Sequence, residues 1–236
     1  MNLTYDLHTH ILPGVDDGAK TTEDALILIN ALSSQGVTNI CLTPHFYTHQ
    51  ESIEDFLSRR AEAADSFLPC IPDGVKVKLG AEVYVTRYLF SEERDLTPLC
   101  IEGTNYMITE FSYDSHFSEN TMRMITTLLD RGIIPIIPHV ERYPYLMKNR
   151  KTLESLIYMG VLIQSNAISF TQFSTKRKLL KLLNDGYIHV LSSDAHSMTR
   201  NSPLTITQAL EYIVSKCKGD VISSLEQNAC DIFTGK

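Results

Sequence analysis

Short apolar runs alternate with amphipathic stretches along nearly all of this 236-residue chain, and that alternation limits the folds open to it. Leu3, Tyr5 and Leu7 alternate with polar residues, the period of a strand. Further strands are predicted at 39–43, 75–79, 106–109, 133–138, 161–164 and 188–191. Thr21 followed by Asp24 marks a capped helix start, and Ala25, Leu28, Ile29 and Leu32 recur at helical spacing until Gly36. Helices are likewise expected at 51–67, 119–131, 153–159 and 176–184, with closing helices at 203–217 and 221–233. Strands separated by helices make a parallel sheet covered by helices. About seven such units, with no linker, repeat or low-complexity segment between them, point to an α/β fold in one domain, residues 1–236, closed or nearly closed into a barrel. Pro135 and Pro138 cannot donate to a ladder, so distortion is expected where they fall.

Composition narrows the function classes. A net charge of −7 argues against nucleic-acid binding through a basic face. The N-terminus has no basic-then-apolar signal pattern, and no apolar run approaches the roughly 18 residues of a membrane span, so neither export nor membrane insertion is expected. The five cysteines (Cys41, Cys70, Cys100, Cys217 and Cys230) are scattered without a C-x-x-C pair, which fits reduced thiols and a cytoplasmic location.

Residues able to bind a metal gather where the strands end. His8 and His10, His45, Glu82, Glu110, His139, and Asp194 with His196 each follow an apolar run. The C-terminal end of the strands is where barrel enzymes carry their catalytic groups. His8 and His10, two apart on a strand, project to one face, and Asp194 and His196 repeat that spacing. Imidazoles and carboxylates without a thiolate suit Mn, Fe, Co or Zn.

The strings HTH (8–10), DDG (16–18), TPH (43–45), GAE (80–82), TEFS (109–112), PHVERY (138–143) and SSDAH (192–196) resemble the PHP (polymerase and histidinol phosphatase) superfamily in order and spacing. More narrowly they resemble the bacterial capsule and exopolysaccharide tyrosine-protein phosphatases of the CpsB, CapC and YwqE type, with HVERYP the most discriminating piece. The resemblance runs from Tyr5 to about Arg200 and implies a distorted (β/α)7-type PHP barrel holding three divalent metal ions, manganese by preference. It would give His8, His10, Glu82 and Asp194 to the first metal, with Glu82 bridging to a second completed by Glu110 and His139. Asp17, His45 and His196 would hold the third, with Asp16 the rival for Asp17; spacing from the His pair favours Asp17. His49, His116 and His189 match no ligand position: His189 is expected to pack in its strand, and the other two to line the pocket mouth. The implied substrate is phosphotyrosine on a protein, the tail of a membrane-associated bacterial tyrosine kinase that controls polysaccharide synthesis.

Charge arithmetic agrees with a phosphate ligand. Three divalent cations against the four carboxylates Asp17, Glu82, Glu110 and Asp194 leave a surplus of about two positive charges. Such cations ionise water near neutral pH for attack on phosphorus and neutralise the phosphoryl oxygens. Arg142 and Arg200 lie just beyond ligand-bearing strand ends and, with His45, are the candidate catalytic residues, since a guanidinium clamps phosphate with parallel donors. A thiol mechanism needs Cys-x5-Arg, but the residues six places after the cysteines are Tyr47, Lys76, Tyr106, Ser223 and Lys236. Other readings stay open on ligands alone: a PHP enzyme acting on histidinol phosphate or a nucleotide 3′ end, an amidohydrolase, or a metal-stabilised regulatory module without turnover.

Overall fold

A computed structural model describes residues 3–236 except Glu92, Ser115 and Lys218. Its strands are all parallel. β1 (Tyr5–Thr9) pairs with β2 (Asn39–Leu42), and β2 pairs with β4 (Lys76–Leu79). At Thr43-Pro44 and at Gly80-Ala81 the chain breaks and resumes, as β3 (His45–Tyr47) and β5 (Glu82–Tyr84). β3 pairs with β5, and the ladder continues through β6 (Tyr106–Glu110), β7 (Ile134–Ile137), β8 (Leu162–Asn166) and β9 (Val190–Ser192). The break is bridged by hydrogen bonds from Gly80 N to Leu42 O (2.9 Å) and from Glu82 N to Pro44 O (3.0 Å). β9 closes on β1 through Asp194 N to His8 O and His10 N to Ala195 O, both 2.9 Å. Counting β2/β3 and β4/β5 as one strand each, seven strand positions close a distorted barrel, which gives the (β/α)7 expectation its physical form.

The helices are α1 (Thr22–Ser33), α2 (Ile53–Phe67), α3 (Glu119–Asp130), α4 (Arg150–Tyr158), α5 (Lys176–Asn184), α6 (Thr205–Lys216) and α7 (Val221–Thr234). The expected cap of α1 forms reciprocally: Asp24 N donates to Thr21 Oγ1 and Thr21 N to Asp24 Oδ2, each 3.1 Å. Its buried stripe is Ala25, Leu28, Ile29 and Leu32, which faces the main core.

Two apolar layers follow from the barrel. The larger lies between strands and helices; the smaller fills the lumen with Leu7, Cys41, Ile101, Ile108, Ile136 and Val190. α7 plugs the bottom of that lumen with Ala229, Ile232 and Phe233, and Phe233 meets the Tyr5 ring at 5.4 Å. The upper lumen is therefore left for polar side chains.

The ladder with β6 runs on through Pro135. Ile134 N donates to Asn105 O and Pro135 lies opposite Met107, while pairing with β8 begins only at Ile136. The missing N–H thus falls where no partner strand has yet begun. His189 packs beside its strand as expected, its Nδ1 accepting from Ile163 N at 3.1 Å, and burial lowers its pKa. No helix among the described residues is long and apolar enough to cross a membrane.

Candidate metal centre

Glu82 stands in the middle of the upper lumen. Its Oε2 lies 3.3 Å from His8 Nε2, 3.2 Å from His10 Nε2 and 2.9 Å from His45 Nδ1, and its Oε1 lies 2.7 Å from His139 Nε2. One carboxylate therefore faces four imidazoles brought by three different strand positions. β1 supplies two of them because its register against β2 shifts between Asp6 and Thr9, so that Leu7 reaches the lumen core while His8 faces Glu82.

The remaining expected residues surround this pair-rich centre. Asp194 Oδ1 is 3.2 Å from His10 Nε2 and 3.4 Å from His196 Nδ1. Asp17 Oδ1 is 3.5 Å from His45 Nε2 and 3.4 Å from His196 Nε2. Glu110 Oε1 is 3.8 Å from His139 Nε2 and also accepts from the Tyr113 hydroxyl. By proximity the ligand atoms gather into three groups among the described residues: His8, His10 and Glu82; His45, Glu82 and Glu110; and His10, Asp17, His45 and His196. His45 and His10 each stand in two groups, a sharing that sequence spacing does not reveal.

These residues suit cations. His8 Nε2 and His10 Nε2 approach each other to 3.2 Å although imidazole nitrogens repel when neither carries a proton between them. His45 Nδ1, Glu82 Oε2 and His196 Nε2, which face the centre, are buried without a well-aligned hydrogen bond. Buried polar atoms rarely stay unsatisfied, and oxygen and imidazole donors aimed at common points are what a borderline divalent ion takes. Burial, reinforced by the charge on His10, lowers the His196 pKa to about 4, which keeps that imidazole neutral and able to ligate.

Two strained residues aim the side chains. His139 (φ 36°) and Asp194 (φ 55°) both lie in the left-handed region although neither is glycine. Each ends a strand, and each turns its side chain into the bowl. Asp16 and Asp17 separate cleanly: Asp17 faces His45 and His196, whereas Asp16 Oδ2 accepts from His10 Nδ1 at 2.6 Å and from His45 N at 3.0 Å. Burial opposes a charge on Asp16, but His10 and two backbone amides hold its carboxyl well below the usual range. Bonded this way, Asp16 fixes the His10 ring with Nε2 toward the centre. Gly18 completes the turn because a Cβ there would sit 1.9 Å from His10 O.

The two arginines are engaged with carboxylates. Arg142 donates to Asp194 Oδ2 at 2.8 Å, and Arg200 pairs with Asp17 Oδ2. Their side chains are about a third and a half exposed, at the rim. His49 is exposed beside the Tyr47 and Tyr84 rings, 6.1 and 5.9 Å away, and His116 is exposed as well. Cys41 belongs to the lumen core, where burial raises its thiol pKa, and burial pushes the Cys100 thiol up to about 12.

A supporting set escaped the sequence reading. Asp194 Oδ2 accepts from Arg142, from Asn166 Nδ2 (2.7 Å) and from Asn201 Nδ2 (2.8 Å), which leaves Oδ1 for the imidazoles. Gln164 Oε1 accepts from His139 N at 2.7 Å and lies 3.4 Å from His8 Nδ1. Gln164 and Asn166 are two apart at the end of β8, the same signal His8 and His10 give, but amides are poor metal ligands and so draw no attention. In HVERYP, Glu141 accepts from Ser165 Oγ, Asn166 N and Ser169 Oγ at 2.8–3.0 Å, and the buried Tyr143 hydroxyl accepts from Phe111 N at 2.9 Å. That motif is thus one ligand candidate, one rim arginine and two clamps onto neighbouring strands.

Comparison with known proteins agrees with this architecture. The chain is 31% identical to the tyrosine-protein phosphatase CpsB of Streptococcus pneumoniae, over 89% of this chain and 90% of that one. It is 30% identical to the tyrosine-protein phosphatase YwqE of Bacillus subtilis strain 168, over 89% and 84%. Among solved structures, one described with the metal-dependent tyrosine phosphatases YwqE and CpsB superposes with a TM-score of 0.81 at 24% identity, covering 98% of this chain and 95% of the other, a likeness of fold. The CpsB/CapC family of capsular polysaccharide synthesis matches residues 4–234, and this chain belongs to it.

Proposed function

We propose that this protein is a metal-dependent protein-tyrosine phosphatase that hydrolyses phosphotyrosine on a cytoplasmic tail of a bacterial tyrosine kinase controlling capsule or exopolysaccharide synthesis. The observation that carries the reading is Glu82 at 2.7–3.3 Å from four imidazole nitrogens, in a bowl that also gathers Asp17, Glu110, Asp194 and His196. His8, His10, Glu82 and Asp194 would hold one divalent ion. Glu82, Glu110 and His139 would hold a second, and Asp17, His45 and His196 a third, manganese being the preferred metal. The names of the CpsB and YwqE relatives support phosphotyrosine as the substrate.

When bound, divalent cations supply Lewis acidity to the phosphoryl oxygens and a water ionised near neutral pH. The chain's own residues do the positioning. Asp16 holds His10 in orientation, and Asn166, Asn201 and Arg142 hold Asp194 with one oxygen inward. Arg142 and Arg200, at the rim, offer their remaining N–H donors to the phosphate. A phenolate of pKa about 10 leaves without a strong acid.

Phosphate release from a phosphotyrosine peptide, measured before and after exhaustive chelation and again after adding back Mn, Fe, Co or Zn, tests the reading. Loss on chelation and recovery with metal are expected. Full activity in metal-free protein, with metal absence verified by mass spectrometry, would overturn it.

A further inference from the structure

A groove of about 460 Å³ runs outward from the bowl between α1 and the turn at residues 196–200. Its inner end is Asp17, His196 and Arg200, so it opens directly onto the candidate phosphate site. Ile27 and Met198 form its outer walls, with Leu28 as floor and Lys20 at one side. Ile27 is 51% exposed, off the stripe by which α1 packs on the core, and Met198 is 38% exposed opposite it. Neither side chain is needed to bury α1. The Met198 wall is rigid: Ser197 N donates to Arg200 O (3.1 Å), Thr199 N and Arg200 N donate to Ser197 Oγ (3.2 and 2.9 Å), and Asn201 ties the turn to Asp194. Lys20 Nζ donates one bond to Asp16 O at 2.7 Å, and an ammonium has three donors, leaving two for a carbonyl or carboxylate of an occupant.

We propose, resting on the phosphotyrosine reading above, that this groove seats an apolar side chain adjacent to the phosphotyrosine of the substrate chain. The occupant is fixed by continuity. With the phosphate at the bowl, the length of the phosphotyrosine side chain holds the backbone at the outer part of the groove, so the adjacent residue, one Cα step of about 3.8 Å away, meets the walls formed by Ile27 and Met198. The volume falls within the range of about 300–1,000 Å³ usual for ligand pockets, and the walls are apolar with polar groups at the ends. The groove thereby selects among phosphotyrosine sites through KM.

Steady-state kinetics on three substrates test this: p-nitrophenyl phosphate, a phosphotyrosine peptide with leucine on both sides of the phosphotyrosine, and the same peptide with serine there. The leucine peptide is expected to show a KM about tenfold lower than the serine peptide at similar kcat, the effect of covering part of one leucine. Ile27→Ser and Met198→Ser are expected to raise the leucine-peptide KM until the two peptides agree within about twofold, and Ile27→Leu to keep the preference. Turnover of p-nitrophenyl phosphate with equal KM for the two peptides, or a preference that survives both serine variants, would remove this proposal alone. No turnover of any of the three by metal-replete protein would remove the phosphotyrosine reading and this proposal with it.

Discussion

His139 and Arg142 are three residues apart yet touch different parts of the bowl, and their loss should separate in two measurements. His139 Nε2 lies 2.7 Å from Glu82, so His139→Ala is expected to lower metal content and turnover together. Arg142 donates to the outer oxygen of Asp194, which keeps Asn166 and Asn201 as donors when the guanidinium is gone, and it also bonds Tyr113. Arg142→Ala is therefore expected to retain metal while kcat/KM falls by about 30- to 1,000-fold, roughly 2–4 kcal/mol of transition-state stabilisation. Arg142→Lys should recover only part of it, because it restores charge without the planar fork. Metal analysis beside kinetics decides: metal lost from Arg142→Ala, or wild-type kcat/KM in it, would contradict the rim role.

At the scale of elements, local signals and tertiary constraints divide the work. The cap of α1 is local, and Thr21 with Asp24 announces it in the sequence. The breaks between β2 and β3 and between β4 and β5 are not local. A continuous strand was expected to end at Pro44, yet the chain resumes the ladder one residue later, because closing seven strands shifts β3 from the β1–β2–β4 set onto β5. His45 and Glu82 thus start short strands opposite each other rather than ending long ones. The DDG turn is decided by contact: an added methyl at Gly18 meets His10 O at 1.9 Å. Gly18→Ala is expected to displace Asp16 and Asp17 together, cutting kcat/KM at least about 100-fold while the far-ultraviolet circular dichroism stays native. Wild-type activity in Gly18→Ala would show that the turn gives way without moving the aspartates.

At the scale of the whole molecule, the lumen is a stack with the candidate metal bowl above and an apolar floor below, closed by α7. Phe233 is buried against Tyr5, with Lys78 Nζ 5.1 Å from its ring centroid. Phe233→Ala is expected to destabilise the protein by about 3 kcal/mol, lowering Tm by roughly 6–12 °C in a chain of this size. Bound metal should raise Tm in both wild type and variant by the same concentration-dependent amount, since the bowl is at the other end of the lumen. Calorimetry with and without metal checks this; a variant that loses the metal-induced shift would mean that floor and bowl are coupled.

What the sequence alone determined is what neighbours along the chain can encode: the periods of strands and helices, the cap at Thr21, and the placing of imidazoles and carboxylates after apolar runs. These are written in spacing, and they place His8, His10, His45, Glu82, Glu110, His139, Asp194 and His196 around one bowl once the barrel is assumed. What only the tertiary structure decided depends on residues distant in sequence meeting in space. It made Glu82 the centre, turned Asp17 toward His196, and recruited Gln164 to hold His139 and Asn166 to hold Asp194, pairs that lie far apart in the chain. A carboxylate's role is set by which donors reach each of its oxygens, and those donors arrive only when the barrel closes.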